Sequence, residues 1–127
     1  MYKFLRWLPA IMMMSAIFAF SSIPSTEMPS FDWADMLVKK GGHMTGYALL
    51  ALAYWRALGW DKKRWWLPVV MAVLFSATDE LHQSFVPGRH PSPVDVLVFD
   101  SGGAILGVTL AGWFRARKQK GDLPGRP

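Results

Sequence analysis

The chain has 127 residues, a formal net charge of +5, 52% apolar residues, 18% charged residues and no cysteine. This length holds one domain, the apolar excess excludes a disordered tail or a highly charged coiled coil, and the missing thiols exclude disulfides, thiolate nucleophiles and thiolate metal sites. A mean hydropathy of +0.19 points to the bilayer as solvent and leaves His and carboxylate groups as the available ligands for any metal.

The first element is an uncharged run from Trp7 to Ile23, preceded by Lys3 and Arg6 and stopped by the polar stretch from Ser25 to Pro29. It reads as a first membrane span, although a basic start and a small-residue end near Ser21-Ser22 also fit a secretory signal peptide. A second apolar stretch runs from about Gly41 to Leu58 and is closed by Gly59. The third opens at Trp65 after Asp61-Lys62-Lys63-Arg64. Its uncharged part ends near Ala77, short of the roughly 20 residues that a hydrocarbon core of ~30 Å requires. If this segment spans, Asp79 and Glu80 lie inside the membrane. A fourth stretch, Val94 to Phe114, carries Asp95 and Asp100 near its start. The connections are short and lack strand-like alternation. The expectation is therefore one all-α domain over 1–127, a four-helix transmembrane bundle with spans near 5–23, 41–58, 65–84 and 94–114.

Charge distribution sets the expected topology. Lys3, Arg6, Arg56, Lys62, Lys63, Arg64, Arg115, Arg117, Lys118, Lys120 and Arg126 fall on one side, whereas Lys39, Lys40 and Arg89 fall on the other. By the positive-inside rule both termini are expected to be cytoplasmic. Trp7, Trp55, Trp60, Trp65, Trp66 and Trp113 lie near the same ends, as an interfacial aromatic belt would place them. The basic excess is thus a signal of topology and anionic lipid, with no nucleic-acid partner expected.

The opposite side collects the chemistry: Asp32, Asp35, Lys39, Lys40 and His43, then Asp79, Glu80, His82 and Gln83, then Arg89, Asp95 and Asp100. On helices, His43 and Tyr47 are i,i+4 neighbours, and Asp79 shares a face with His82 and Gln83. Gly42 to Gly46 and Gly103 to Gly107 are both G-x-x-x-G patterns, which makes spans two and four candidate partners. Gly41, Gly42, Gly102 and Gly103 read as close-approach or helix-end glycines. Tyr47 and Met12-Met13-Met14 read as packing.

These residues resemble the VanZ-like family of small bacterial membrane proteins, from about Lys39 to Gly107. The family's first signature is matched by Lys40, His43 and Tyr47, with Lys39 where an acid is usual. The second is matched by Asp79-Glu80-Leu81-His82-Gln83, Arg89, Asp95, Asp100, Gly103 and Gly107. The resemblance implies an integral protein of the bacterial cytoplasmic membrane. It also brings an association with low-level resistance to the glycopeptide teicoplanin in the protein that names the family, and it implies no settled reaction.

Two functional classes remain open. In the first, an enzyme at the outer membrane face modifies a lipid-linked or amphiphilic cell-envelope substrate. Glu80 is then the candidate general base beside Asp79, and His43 is an acid or a metal ligand. Lys40 and Arg89 hold an anionic headgroup, and Gln83, Asp95 and Asp100 complete the ligand-binding network. Two like charges ~4 Å apart repel by about 4 kcal/mol at an effective dielectric near 20. Four acids in one pocket therefore call for a proton or a cation beyond Lys40, Arg89 and His43; a divalent metal is one candidate cofactor. In the second class the same residues form a non-catalytic module for binding, proton relay or glycopeptide resistance. The structural alternative for Asp79 and Glu80, less favoured than a role in ligand, proton or metal binding, is pairing with Arg89 and Lys40 to fix helix positions. No G-x-S-x-G or H-E-x-x-H occurs, so Ser84 and Ser101 are weak nucleophile candidates. The lipid bilayer is the expected partner, and the small enclosed volume makes a homodimer plausible.

Overall fold

The computed structural model describes residues 2–24, 34–90, 92–122 and 125. Asp32 lies outside the described residues, as do the side chains of Asp35 and Asp95. The described residues form four α-helices: α1 (Tyr2–Ser21), α2 (Asp35–Ala57), α3 (Trp66–Gln83) and α4 (Ser101–Gly121). A 3-10 turn (Lys62–Arg64) leads into α3, and a π-helical turn (Asp95–Asp100) leads into α4. No strand occurs among the described residues, in agreement with the all-α expectation.

Among the described residues, two helices are apolar and long enough to cross a membrane, Tyr2–Ser21 and Val96–Gly121, each with a mean hydropathy of 1.5. The other two fall below that mark for a specific reason. α2 carries Lys39, Lys40 and His43 in its first turns, and α3 carries Asp79, Glu80, His82 and Gln83 in its last. The polarity on α3 is turned largely inward: Ser76, Asp79 and Gln83 are buried, while Val70, Leu74 and Leu81 are exposed. Leu8, Ile11, Met12 and Phe18 of α1 and Ile105, Leu106 and Leu110 of α4 are exposed as well. Apolar residues outside and ionisable residues inside is the distribution that lipid selects, because a charged group facing hydrocarbon is costly.

Most of the buried apolar core comes from α2, in Tyr47, Leu50, Ala51, Ala53, Tyr54 and Trp55, joined by Ala10, Ala72, Ala104 and Val108. α2 is the central helix, packing most extensively on α4 and then on α1 and α3. A β-carbon at Gly103 would stand 2.8 Å from Met44 Cα, and one at Gly107 would stand 3.0 Å from Ala48 Cα. Both pairs step by four residues, so α2 and α4 run in the same direction with their backbones almost touching. The glycine pattern of α4 is thus a true contact ridge, as expected. That of α2 is not its counterpart: Gly46 faces Ile17 of α1, and nothing comes within 4 Å of a β-carbon at Gly42. Gly41 and Gly102 are likewise open rather than closely approached.

Side-chain contacts fix the alternation of helix directions. At one end, Arg56 Nη1 donates to the Arg6 carbonyl at 3.3 Å and Lys62 Nζ donates to Gln119 Oε1 at 2.7 Å, so the two chain ends and the α2–α3 turn gather together. α2 stops there because Gly59 and Trp60 adopt positive φ of 78° and 58°. The Trp60 N–H reaches the Trp55 carbonyl (2.9 Å) and the Gly59 N–H reaches Arg56 (3.0 Å), a Schellman ending. At the other end, the close of α1, the start of α2, the close of α3 and the entry to α4 meet, which brings the candidate residues together.

Candidate functional site

Two buried carboxylates organise this second end. Asp79 is 2% exposed; its Oδ2 accepts a hydrogen bond from Ser21 Oγ at 2.6 Å and another from Gln83 Nε2 at 3.2 Å. Gln83 Nε2 also donates to Ser21 Oγ at 3.0 Å, which closes a triangle across α1 and α3. Asp100, also 2% exposed, accepts from Ser76 Oγ at 2.5 Å through Oδ2, while its Oδ1 stands 3.3 Å from His43 Nδ1. Tyr47 is buried between the rings of His43 and Phe75, in the field of both acids. Two oxygens in this cluster, Tyr47 Oη and Asp79 Oδ1, are buried without a hydrogen-bond partner, and Asp100 Oδ1 has only His43 Nδ1 beside it. Buried polar atoms are ordinarily satisfied, so two orphans in one cluster mark a place that can take up a proton, a water or a ligand atom.

The local sequence explains these positions. Ser76, Asp79 and Gln83 follow one another at three and four residues and so share one face of α3. Asp100 is delivered by the π-helical turn, whose widened path is also marked by Ser101 Oγ donating to the Val96 carbonyl five residues back at 2.7 Å. His43 is about one-third exposed against 1% for Asp100, so the acid holds one ring nitrogen and the opposite nitrogen is directed away from it. A carboxylate behind an imidazole fixes its tautomer and orientation, an arrangement suited to acid–base work.

His43 also lines a groove of about 590 Å³ between α1 and α2. Ser21, His43, Tyr47, Lys39 and Arg89 form its polar end, and Met13, Ile17, Val38 and Leu49 continue it as an apolar trough. Val38, Leu49 and Phe20 on its rim are exposed, so it opens to the surroundings of the bundle. Gly41, Gly42 and Gly46 keep the α2 wall low.

Other candidates are placed differently from the sequence reading. Glu80 Oε2 accepts from the Ser92 N–H at 2.8 Å and so ties α3 to the loop before α4; Glu80 does not line the groove. Lys40 rests its ammonium over Phe99 at 4.3 Å, and Lys39 occupies the groove wall instead. Arg89 does line the groove, but Nε and Nη2 donate to the carbonyls of Ile23 and Phe20, each at 3.0 Å. Carbonyls at a helix C-terminus lack intrahelical donors, so Arg89 caps α1 while facing the cavity. His82 turns to α1, stacking on Phe18 at 3.9 Å with Nε2 2.8 Å from Ser22 Oγ. Ser84 and Ser101 spend their hydroxyl protons on the backbone carbonyls of Leu81 and Val96. Among the described residues, no group of three or more His, Asp and Glu is arranged to hold a metal ion.

Sequence reasoning passes over Ser21 and Ser76 as site residues and reads Tyr47, though part of the first signature, chiefly as packing. Ser76 was signalled by its spacing from Asp79 and Gln83. Ser21 had no signal beyond its place at the end of an apolar run.

A family model described as VanZ/LLP1 matches residues 4–115. Comparison with curated proteins returned no match, and neither did comparison with solved structures. The matched region takes in all of the residues just described, and the chain belongs to the VanZ-like family.

Proposed function

Starting from membership of the VanZ-like family, we propose that this membrane protein takes an amphiphilic cell-envelope molecule into the α1–α2 groove and acts on its polar head at His43. All four helices cross the membrane in this reading, both termini are cytoplasmic, and the groove meets the outer leaflet. One observation carries it: a trough that is apolar along Met13, Ile17 and Leu49 ends at Ser21, His43, Tyr47 and Arg89. A lipid-linked molecule has the same two-part character. His43, oriented by Asp100, moves the proton at the head, in place of the Glu80 base expected from sequence. Lys39 and Arg89, both in the groove wall, supply positive charge for an anionic group.

A second reading is favoured by the hydroxyl geometry. Ser21 and Ser76 donate to buried acids, and Ser22, Ser84 and Ser101 donate to backbone carbonyls. The module would then bind an amphiphile, or relay protons through Asp79, Tyr47 and Asp100, without forming a covalent intermediate.

The test uses purified protein in nanodiscs with a panel of isoprenoid-linked and diacyl lipids, measuring retention and conversion by mass spectrometry. Gly42→Leu fills the trough without meeting a neighbouring atom at its β-carbon, so retention should fall with folding intact. His43→Gln should retain lipid but lose conversion. Unchanged retention in folded Gly42→Leu rejects the groove, and retention without conversion in the unsubstituted protein selects the binding reading.

A further inference from the structure

At the end of the bundle opposite Asp79, a second cavity of about 370 Å³ lies between the α2–α3 turn and α4. Its floor is Trp55, 3% exposed and locked by an indole N–H donated to the Asp61 carbonyl at 3.0 Å. Gly112 lines the cavity beside Trp55, where a β-carbon would meet Cη2 at 3.5 Å, an ordinary van der Waals contact. Val108 and Trp65 extend the lining as apolar surface, and Lys62 and Arg115 stand in its rim. Both cations are held in place, Lys62 by Gln119 at 2.7 Å and Arg115 by the Trp60 face at 4.3 Å. Residues 61–64 and 115–122 together hold seven Lys/Arg against two Asp. Of those acids, Asp61 is engaged with the Lys63 N–H at 2.9 Å and with Arg64 at 3.7 Å.

We propose that this cavity is a binding site for one anionic glycerophospholipid, its phosphate between Lys62 and Arg115 and an acyl chain along Trp65, Val108 and Gly112. The charge selects an anion, and the apolar floor selects one that carries a hydrocarbon tail; a free phosphate would satisfy the rim and leave the floor wet. Tryptophan at the cavity mouth suits a depth where headgroup and acyl chain meet. The site is independent of the α1–α2 groove, with which it shares no lining residue.

Detergent-purified protein titrated with phosphatidylglycerol, phosphatidylcholine or inorganic phosphate separates the alternatives, with native mass spectra counting retained molecules and thermal unfolding reporting protection. The expected result is one retained phosphatidylglycerol and a rise in Tm, with at least tenfold weaker retention of phosphatidylcholine and no protection by phosphate. Lys62→Gln with Arg115→Gln should lower phosphatidylglycerol retention at least tenfold, as should Gly112→Leu, while Gly112→Ala should keep it. If the charge variant fails to fold, Gly112→Leu carries the comparison. Equal retention of the two lipids, equal protection by phosphate, or undiminished phosphatidylglycerol in folded Gly112→Leu overturns the site.

Discussion

The two ends of the bundle handle charge in opposite ways. At the Asp79 end, carboxylates are buried and fastened by serine and glutamine, with Tyr47 Oη and Asp79 Oδ1 left unsatisfied. At the Trp55 end, cations stay exposed and lie on aromatic faces, Arg115 over Trp60 at 4.3 Å and Arg117 over Trp113 at 4.1 Å. Cations at the membrane surface reach water and headgroups by extending their side chains, so their placement costs little. Buried acids cannot, so their presence points to a task. The first end is where substitution should cost activity, and the second is where it should change lipid preference.

The comparison is broken most severely by removing the helix contact that brings the acids together. Gly103→Leu would drive a side chain into the Met44 backbone, costing about 3 kcal/mol or more by the scale of overpacking and backbone shifts. A loss of monodisperse folded protein on size exclusion, with no equivalent loss for Gly102→Leu, is the expected outcome. Next in size is Asp100→Asn, which keeps the shape but removes the charge behind His43. Conversion of an amphiphile should fall on the order of 100-fold with retention unchanged; a parallel loss of both would make Asp100 structural only. Ser76→Ala deletes one buried hydrogen bond, and unfolding titrations should register about 0.6 to 1.7 kcal/mol. Smallest is Arg117→Gln at the other end, where losing one exposed cation–aromatic contact should shift stability by about 0.5 to 1 kcal/mol. A larger loss from Arg117→Gln than from Ser76→Ala would erase the distinction between the ends.

The sequence made the helical class, the four elements and the gathering of polar residues legible, because a long apolar run has few alternatives to a helix. It also exposed the small-residue ridge of Gly103 and Gly107. Rotation was harder to read. Glu80 and Asp79 are adjacent, yet one reaches the Ser92 backbone and the other is buried, a difference set by how α3 turns against α1. Arg89 reads from sequence as a headgroup cation or a partner of the acids, and its bonds to the end of α1 come into view only in the fold. Ser21 and Ser76 are small and common, and only the acids they meet give them meaning.

The π-helical turn at Asp95–Asp100 separates two requirements that a uniform helix would lock together. An α-helix carries 3.6 residues per turn, so each inserted or deleted residue swings everything before it by ~100°. A π turn already holds the extra residue that such an event would leave behind. Deleting one residue within it should therefore turn it into ordinary α-helix and leave both the segment upstream and the Gly103–Met44 seam close to their present register. One-residue changes of length in this turn are thus the ones the bundle should absorb without being dismantled.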